Sequence, residues 1–355
     1  MKEYRRLFSE RKILMVSGPL AKGIRLSFLL LAALLAAGSA GAQAIIAPGI
    51  TDPAIIAPAR VAPGDPYLCW LKSKDPLLEA SATLRDSAAK RLASADGFFM
   101  PSDGEGYLYG FLLAVPTKAL PGPASLLISA TASGGPGSSK AGRADEFRVD
   151  FLIEEKKFQR EDIPLDKVNT DIRTQPDPAK TAESKAFAAV FEAGDPTALF
   201  AEGPMVKPLS IAWRETAGFA DERRYLYHSG GSDSTLHGGI DLGAKEGSEV
   251  LACAAGRVVF AASRIVTGNT VVIEHLPGLF SIYMHLSAIA TSEGAVVASG
   301  ERIGSVGSTG LSTGPHLHWE LRIGTASVNP YYWLSRPLLD KDAISGRIKP
   351  PAEGR

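Results

Sequence analysis

Cysteine is almost missing from this sequence: Cys69 and Cys253 are the two in 355 residues. So few exclude a disulfide-stapled miniature scaffold, and their spacing is not that of paired zinc ligands. Each sits in an apolar stretch, where a buried free thiol behaves as a small hydrophobe. They fall in what reads below as separate domains, and sequence separation alone leaves their pairing open. An excess of charge is missing too, since 38 Lys/Arg face 38 Asp/Glu. The first 44 residues hold seven of the basic and two of the acidic groups, so the remaining 311 carry 31 against 36, a net of −5. A mildly acidic body without a long basic run gives no electrostatic reason to bind nucleic acid or anionic lipid. Nor is there a run of the about 20 apolar residues that a membrane span needs. At 45% apolar and 21% charged, the composition is that of a globular protein rather than a disordered, collagenous or membrane-bundle chain. The length favours two modest domains.

The N-terminus has the layout of an export signal. Arg5, Arg6, Arg11, Lys12, Lys22 and Arg25 precede the apolar stretch from Leu26 to Ala37. Ala40-Gly41-Ala42 and Ala42-Gln43-Ala44 both fit a small-x-small cleavage site. Residues 1–44 are therefore expected to be a signal peptide, with Met15 as an alternative start that shortens the basic region. The apolar stretch is too short for an anchor, and no cysteine follows it for lipid attachment. The rest of the chain is expected in the periplasm or cell envelope, with no transmembrane anchor after cleavage.

Residues 45–62 are rich in Pro and Ala and read as an extended lead-in. From 63 to 157 the pattern is β. Tyr107, Tyr109, Phe111 and Leu113 alternate, as do Phe147, Val149, Phe151 and Ile153, with Arg148, Asp150 and Glu154 facing the other way. Period two with one polar side is a half-buried antiparallel strand. Several such strands in about 95 residues predict a small β-sandwich; Leu77 to Ala95 fits helix and strand equally. Residues 158–205 read as a connector with one helix. It is capped by Asp177, opens on Pro178, stops at Gly194, and carries a narrow stripe of Phe187, Val190 and Phe191. Residues 206–335 return to β with frequent Gly turns, and 336–355 read as a loose polar tail.

All six histidines fall between His228 and His318, in 91 consecutive residues. In a strand, residues two apart share a face. His316, His318, Glu320 and Arg322 then point one way, and Leu317, Trp319, Leu321 and Ile323 pack the other way. A solvated polar face would show the same alternation. In His237-Gly-Gly-Ile-Asp241 the glycines permit a bend that brings imidazole and carboxylate together. His285 lies on a third strand, sharing its face with Tyr283. Two neutral imidazoles and a carboxylate make a tripodal zinc site with a fourth position for water. Such a site lowers the pKa of that water and polarises a carbonyl. A further histidine within reach moves protons or stabilises an oxyanion. The reaction class is metal-assisted hydrolysis, most simply of an amide.

At these residues the sequence resembles the LytM/lysostaphin-type zinc endopeptidases, which cut peptide cross-links in bacterial cell walls. The similarity is dense from Gly218 to Leu334. It runs through His237-Gly-Gly-Ile-Asp241-Leu-Gly, Gly268-Asn-Thr-Val-Val-Ile-Glu-His275 and Tyr283-Met-His285-Leu. It continues through Gly304-Ser-Val-Gly-Ser-Thr-Gly-Leu-Ser-Thr-Gly-Pro-His-Leu-His-Trp-Glu320 and Val328-Asn-Pro330. The resemblance implies that His237, Asp241 and His318 hold Zn2+, and that His316 and His285 are catalytic histidines that do not bind the metal. It implies a compact antiparallel β domain with a groove for an extended peptide, and peptidoglycan as substrate. His275 reads as structural, His228 as a loop residue at the groove edge, and Glu320 either as a carboxylate that orients a ligand imidazole or as an ordinary polar strand position. Family members lacking some of these residues act as binders or amidase activators; none is missing here. Two features depart from the family or match it only diffusely. The stretch from Gly218 to His237 is longer than the family's minimal approach to the first ligand, and the N-terminal sandwich resembles the Ig-like domain that precedes some such peptidases. The fold expected is thus mainly β, an Ig-like sandwich followed by the peptidase domain. The alternative to an enzyme is a zinc-bearing wall-binding or regulatory module, its groove covered by the 218–236 loop or the N-terminal domain.

Overall fold

The computed structural model describes residues 54–101, 106–133 and 144–340. The expected signal segment and the tail beyond residue 340 lie outside the described residues. Residues 63–157 and a few before them form β1 (Ala54–Ile56), β2 (Arg60–Val61), β3 (Pro66–Ser73), β4 (Leu77–Asp86), β5 (Arg91–Asp96), β6 (Phe98–Met100), β7 (Tyr107–Ala114), β8 (Gly122–Ala132) and β9 (Ala144–Ile153). They make two sheets, ordered β1-β3-β7-β6 and β2-β9-β8-β4-β5. The alternating side chains of β9 and β7 meet Tyr67, Leu71, Leu84, Leu126 and Ile128 in one core. The ambiguous stretch resolves into β4 and β5, which pair with each other. β7 departs from the half-buried expectation because both its faces are covered. Tyr109, Phe111 and Leu113 point into the sandwich, while Leu108 and Leu112 join Trp70, Phe98, Phe219 and Trp333 in the core of the following domain. Gly110 permits this, since a Cβ there would lie 2.4 Å from the Phe98 ring and 2.6 Å from that of Trp70.

The connector holds more structure than expected: β10 (Arg160–Pro164), α1 (Lys167–Thr174) and α2 (Pro178–Glu192). The expected helix is α2, with the Asp177 carboxylate accepting from Ala179 N–H at 2.8 Å. α1 was hidden because its buried residues are Asn169 and Thr170, which leave no apolar stripe to read.

The C-terminal domain contains β11 (Arg214–Ala217), β12 (Glu222–Leu226), β13 (Ser232–Leu236), β14 (Ile240–Gly243), β15 (Glu249–Leu251), β16 (Gly256–Arg264) and β17 (Gly268–Leu276). It continues with β18 (Leu279–Leu286), β19 (Ala288–Ile289), β20 (Val296–Val297), β21 (Arg302–Ser305), β22 (His316–Ile323) and β23 (Ala326–Val328). The main sheet runs β11-β14-β22-β18-β17-β16-β20, with β23 on β22. A small sheet, β15-β21-β19, flanks it, and β10 joins the β12–β13 hairpin as a third strand, parallel to β12. Cys69 and Cys253 are both buried free thiols. The tail expected from Arg336 starts as packed chain: Leu338 and Leu339 are buried, with their N–H groups donating to Gly203 and Glu202 carbonyls. Two leucines are too short a signal to show periodicity. Among the described residues no helix is long and apolar enough to cross a membrane.

Candidate active site

Strand register assembles the site. β14 pairs with β22 so that Asp241 stands opposite His318, and β18 pairs with β22 so that Met284 does. His316, His318 and Glu320 share the groove face of β22 because the side-chain period is two. His237 arrives on the turn before β14. A Cβ on Gly239 would lie 2.3 Å from the Trp319 carbonyl oxygen, and one on Gly238 would lie 2.9 Å from Glu320 Oε1. Only glycine lets that turn come so close.

Three donor atoms converge. His237 Nε2 is 3.1 Å from Asp241 Oδ1 and 3.0 Å from His318 Nδ1, and the last two are 2.9 Å apart. The remaining imidazole nitrogens have their own partners. His237 Nδ1 donates to the Gly218 carbonyl at 2.7 Å, and His318 Nε2 faces Glu320 Oε2 at 3.5 Å. With those nitrogens engaged, His237 Nε2 and His318 Nδ1 are the ring atoms turned toward the shared point, and partners of this kind fix the orientation of an imidazole at a metal site. Zinc bonds of about 2.0–2.1 Å in tetrahedral array need donors roughly 3.3 Å apart, so the trio fits with an adjustment of a few tenths of an ångström. The three are buried and form the metal-competent cluster found among the described residues.

The other two predicted residues stand beside it. His316 Nδ1 donates to the Gly314 carbonyl at 2.8 Å, and its Nε2 lies 3.8 Å from Asp241 Oδ1. His285 Nδ1 donates to the Thr309 carbonyl at 2.8 Å, and its ring centroid is 4.8 Å from that of His316. His285 also holds a left-handed backbone, φ 61°, fixed by its N–H bond to the Thr267 carbonyl. Strain of this kind survives where the surroundings over-determine it.

Burial governs the charges. It holds His285 down to about 3, reinforced by His316 and His318, and it also lowers His316 and His237. Burial pulls His318 the same way, but hydrogen bonds to Asp241 and Glu320 outweigh it and raise this imidazole to about 9. Burial alone would raise Asp241; its bonds to His237 and His318 hold it far below the usual carboxylate range instead. Glu320 is likewise held low against burial, by Arg322 and His318.

The cluster lies in a groove of about 600 Å³. Its walls include β10 and β12, through Ile163, Arg223 and Tyr225, and the loop ahead of β22. α1 ties these walls together. Its Arg173 makes two bonds to Asp233, at 2.9 and 3.0 Å, and lies 3.9 Å over the Tyr225 ring, while Asn169 donates to the Ser312 carbonyl at 3.2 Å. None of the described residues of the sandwich lines this groove. His275 sits elsewhere in the core, bonded to the Ala255 carbonyl and the Ser281 hydroxyl, each at 2.7 Å. His228 is exposed at the turn of the β12–β13 hairpin. One groove residue escaped the sequence reading: Arg223, whose guanidinium Nη2 bonds Asp241 Oδ2. Its signal was the long approach to His237, where strand alternation puts Arg223 and Tyr225 on one face.

Residues 235–330 match Peptidase family M23. This segment is an M23 peptidase domain. It is 50% identical over 95 residues to the DD-carboxypeptidase/endopeptidase Mpg of Neisseria meningitidis, covering 27% of this chain and 22% of that protein. It is 38% identical over 122 residues to the peptidoglycan DD-endopeptidase ShyA of Vibrio cholerae, covering 34% and 28%. The murein hydrolase activator EnvC of Escherichia coli is 41% identical over 98 residues, covering 28% and 23%. The chain thus spans about a quarter of the length of these curated relatives. β10, both helices, β12 and most of β13 lie ahead of the M23 match, yet β10, α1 and β12 line its groove.

Proposed function

We propose that the protein is an exported, zinc-dependent endopeptidase that hydrolyses amide bonds in peptidoglycan stem peptides or cross-bridges. The observation that carries this reading is the convergence of His237 Nε2, Asp241 Oδ1 and His318 Nδ1 beside two further imidazoles. The likeness to proteins named as DD-endopeptidases supports the substrate class. His237, Asp241 and His318 would hold the zinc, which when bound lowers the pKa of water and polarises the scissile carbonyl. His316 and His285 supply the proton chemistry. Their Nδ1 protons are committed to the Gly314 and Thr309 carbonyls, and burial keeps both rings neutral at neutral pH. Each therefore presents an unprotonated Nε2, which accepts a proton first and returns it later. One of the two takes the proton of the attacking water and passes it to the leaving amine. The other, neutral and with its Nε2 free, accepts a hydrogen bond from the attacking water and holds it in line with the substrate carbonyl.

The likeness to a protein named as a murein hydrolase activator favours a second reading, a zinc-bearing regulatory module without turnover. Retention of all five site residues, in a groove that the described part of the sandwich leaves uncovered, weighs against it. Alanine at His237, Asp241 or His318 is expected to remove both zinc and hydrolysis. Alanine at His316 or His285 is expected to remove hydrolysis while zinc content stays stoichiometric. An empty site in either of the last two variants would overturn the division of roles.

A further inference from the structure

The two oxygens of Asp241 have different partners. Oδ1 belongs to the donor triangle, 3.1 Å from His237 Nε2 and 2.9 Å from His318 Nδ1. Oδ2 points away from it and accepts from Arg223 Nη2. The Arg223 side chain is only 13% exposed, and its Nε lies 3.8 Å from Glu161 Oε2. Register sets this up, since Glu161 of β10 stands beside Arg223, which in turn faces Thr235 of β13. The hairpin that carries Arg223 is held from both sides, by Arg173 of α1 on Asp233 and by Arg224 on Asp162 of β10.

We propose that Arg223 is a positioning residue that confines Asp241 to one coordinating oxygen and so keeps a coordination position open for water. This rests on the zinc-site reading above. A carboxylate beside a divalent metal can bind through one oxygen or both, and binding through both uses up a position that hydrolysis needs. A charge-assisted bond from a planar guanidinium occupies the second oxygen with fixed direction, which a lysine ammonium does less well. The guanidinium contributes no atom to the donor triangle, and its bond is to the carboxylate oxygen outside that triangle. Arg223 lies outside residues 235–330. The long approach to His237 therefore completes the metal site rather than covering it.

The test compares the wild-type chain with Arg223→Gln, Arg223→Lys and Arg224→Gln. Zinc affinity is read by competition with a chromophoric chelator, and coordination number from the visible spectrum of the cobalt(II)-substituted proteins. Thermal unfolding of the metal-free chains checks that each variant is folded. Arg223→Gln is expected to weaken zinc binding by about 10- to 100-fold and to shift the intense four-coordinate cobalt spectrum to the weaker five-coordinate one. Arg223→Lys should restore part of both, and Arg224→Gln, whose carboxylate partner is outside the site, should change neither. The inference is overturned if Arg223→Gln keeps the wild-type spectrum, or binds zinc more tightly as a released competing cation would. It is overturned equally if Arg224→Gln reproduces the loss, since that would reduce Arg223 to hairpin stability. Failure of the wild-type chain to take up stoichiometric metal would instead bring down the zinc reading itself.

Discussion

Glu320 is 2% exposed and meets three partners: Arg322 Nε and Ser327 Oγ donate to its Oε1 at 2.6 Å each, and His318 Nε2 approaches its Oε2 at 3.5 Å. It holds the His318 ring with Nδ1 toward the donor triangle. Glu320→Gln is expected to weaken zinc binding by about 10- to 100-fold while leaving the fold intact, as measured by the same chelator competition. His275 tests burial apart from the site. Burial holds it down to about 4 despite its bond to the Ala255 carbonyl. The unfolded chain, near the ordinary 6.5, takes up that proton first, so the stability involved is full above pH 6.5 and is lost as pH falls toward 4. The whole span is worth roughly 3 kcal/mol, and the part between pH 6.5 and 5 about 2 kcal/mol. Urea unfolding of His275→Gln at pH 7 and pH 5 should show a pH-dependent loss smaller by that amount; an unchanged slope would show that the imidazole is not held neutral. At this scale much was legible. The five histidine and aspartate positions of the site were picked out by strand period, turn glycines and family resemblance, and the structure brings them together; His285, however, lines the groove with Met284 instead of sharing the core face of Tyr283, because its left-handed backbone (φ 61°) breaks the alternation of β18. Arg223 was not singled out, because alternation puts it on one face with Tyr225 but an arginine there looks like any solvated charge until the fold brings its guanidinium to Asp241.

α2 lies on the same face of the main sheet as the metal-competent cluster. Met284, Ile282 and Phe280 of β18 stand opposite His318, Glu320 and Arg322 of β22, and the helix packs Phe187 and Phe191 against them. Phe191 meets Phe280 edge-on at 5.2 Å, and Arg322 lies 4.7 Å over the Phe191 ring. Glu183 of α2 accepts from Ile265 N–H at 2.9 Å, beside the segment whose Thr267 carbonyl fixes His285. The helix thus supports both sides of the site from outside the M23 match. Phe191→Ala is expected to cost about 3–5 kcal/mol in urea unfolding, the range for a buried phenylalanine. A fragment beginning at residue 206 would expose Val272, Phe280, Ile282 and Met284; it should be less soluble and bind zinc more weakly than one beginning at 158. Equal behaviour of the two fragments would show that α2 is dispensable. α2 was readable because its cap, its N-terminal proline and its aromatic stripe agree. β10 and α1 were not, since their sequences are charged or polar and their partners lie about 60 or more residues away.

Among the described residues, the sandwich and the C-terminal domain meet through the outer face of β7 and a small polar knot. Asn329 N–H donates to the Gly64 carbonyl at 2.8 Å, its Nδ2 donates to Asp65 Oδ1 at 2.9 Å, and Lys156 Nζ donates to the same oxygen at 3.1 Å. Gly64 has φ +82°, and a Cβ there would lie 2.5 Å from the Phe219 ring. Gly64→Ala should therefore cost at least about 1–2 kcal/mol from backbone conformation alone. Calorimetry is expected to show a single wild-type transition that moves down or splits in this variant; an unmoved single transition would show that the joint carries little. The β segments on either side of the connector were legible from alternation, but the contact between them was not, because a strand with two apolar faces does not say which neighbour covers each.

Digestion of purified, cross-linked peptidoglycan by residues 45–355, with zinc quantified and products read by mass spectrometry, tests the central claim most directly. New amine termini in cross-linked peptides, together with one zinc per chain and abolition by a chelator, are the predicted result. Stoichiometric zinc without new termini, or cleavage that persists in the chelator, would contradict it.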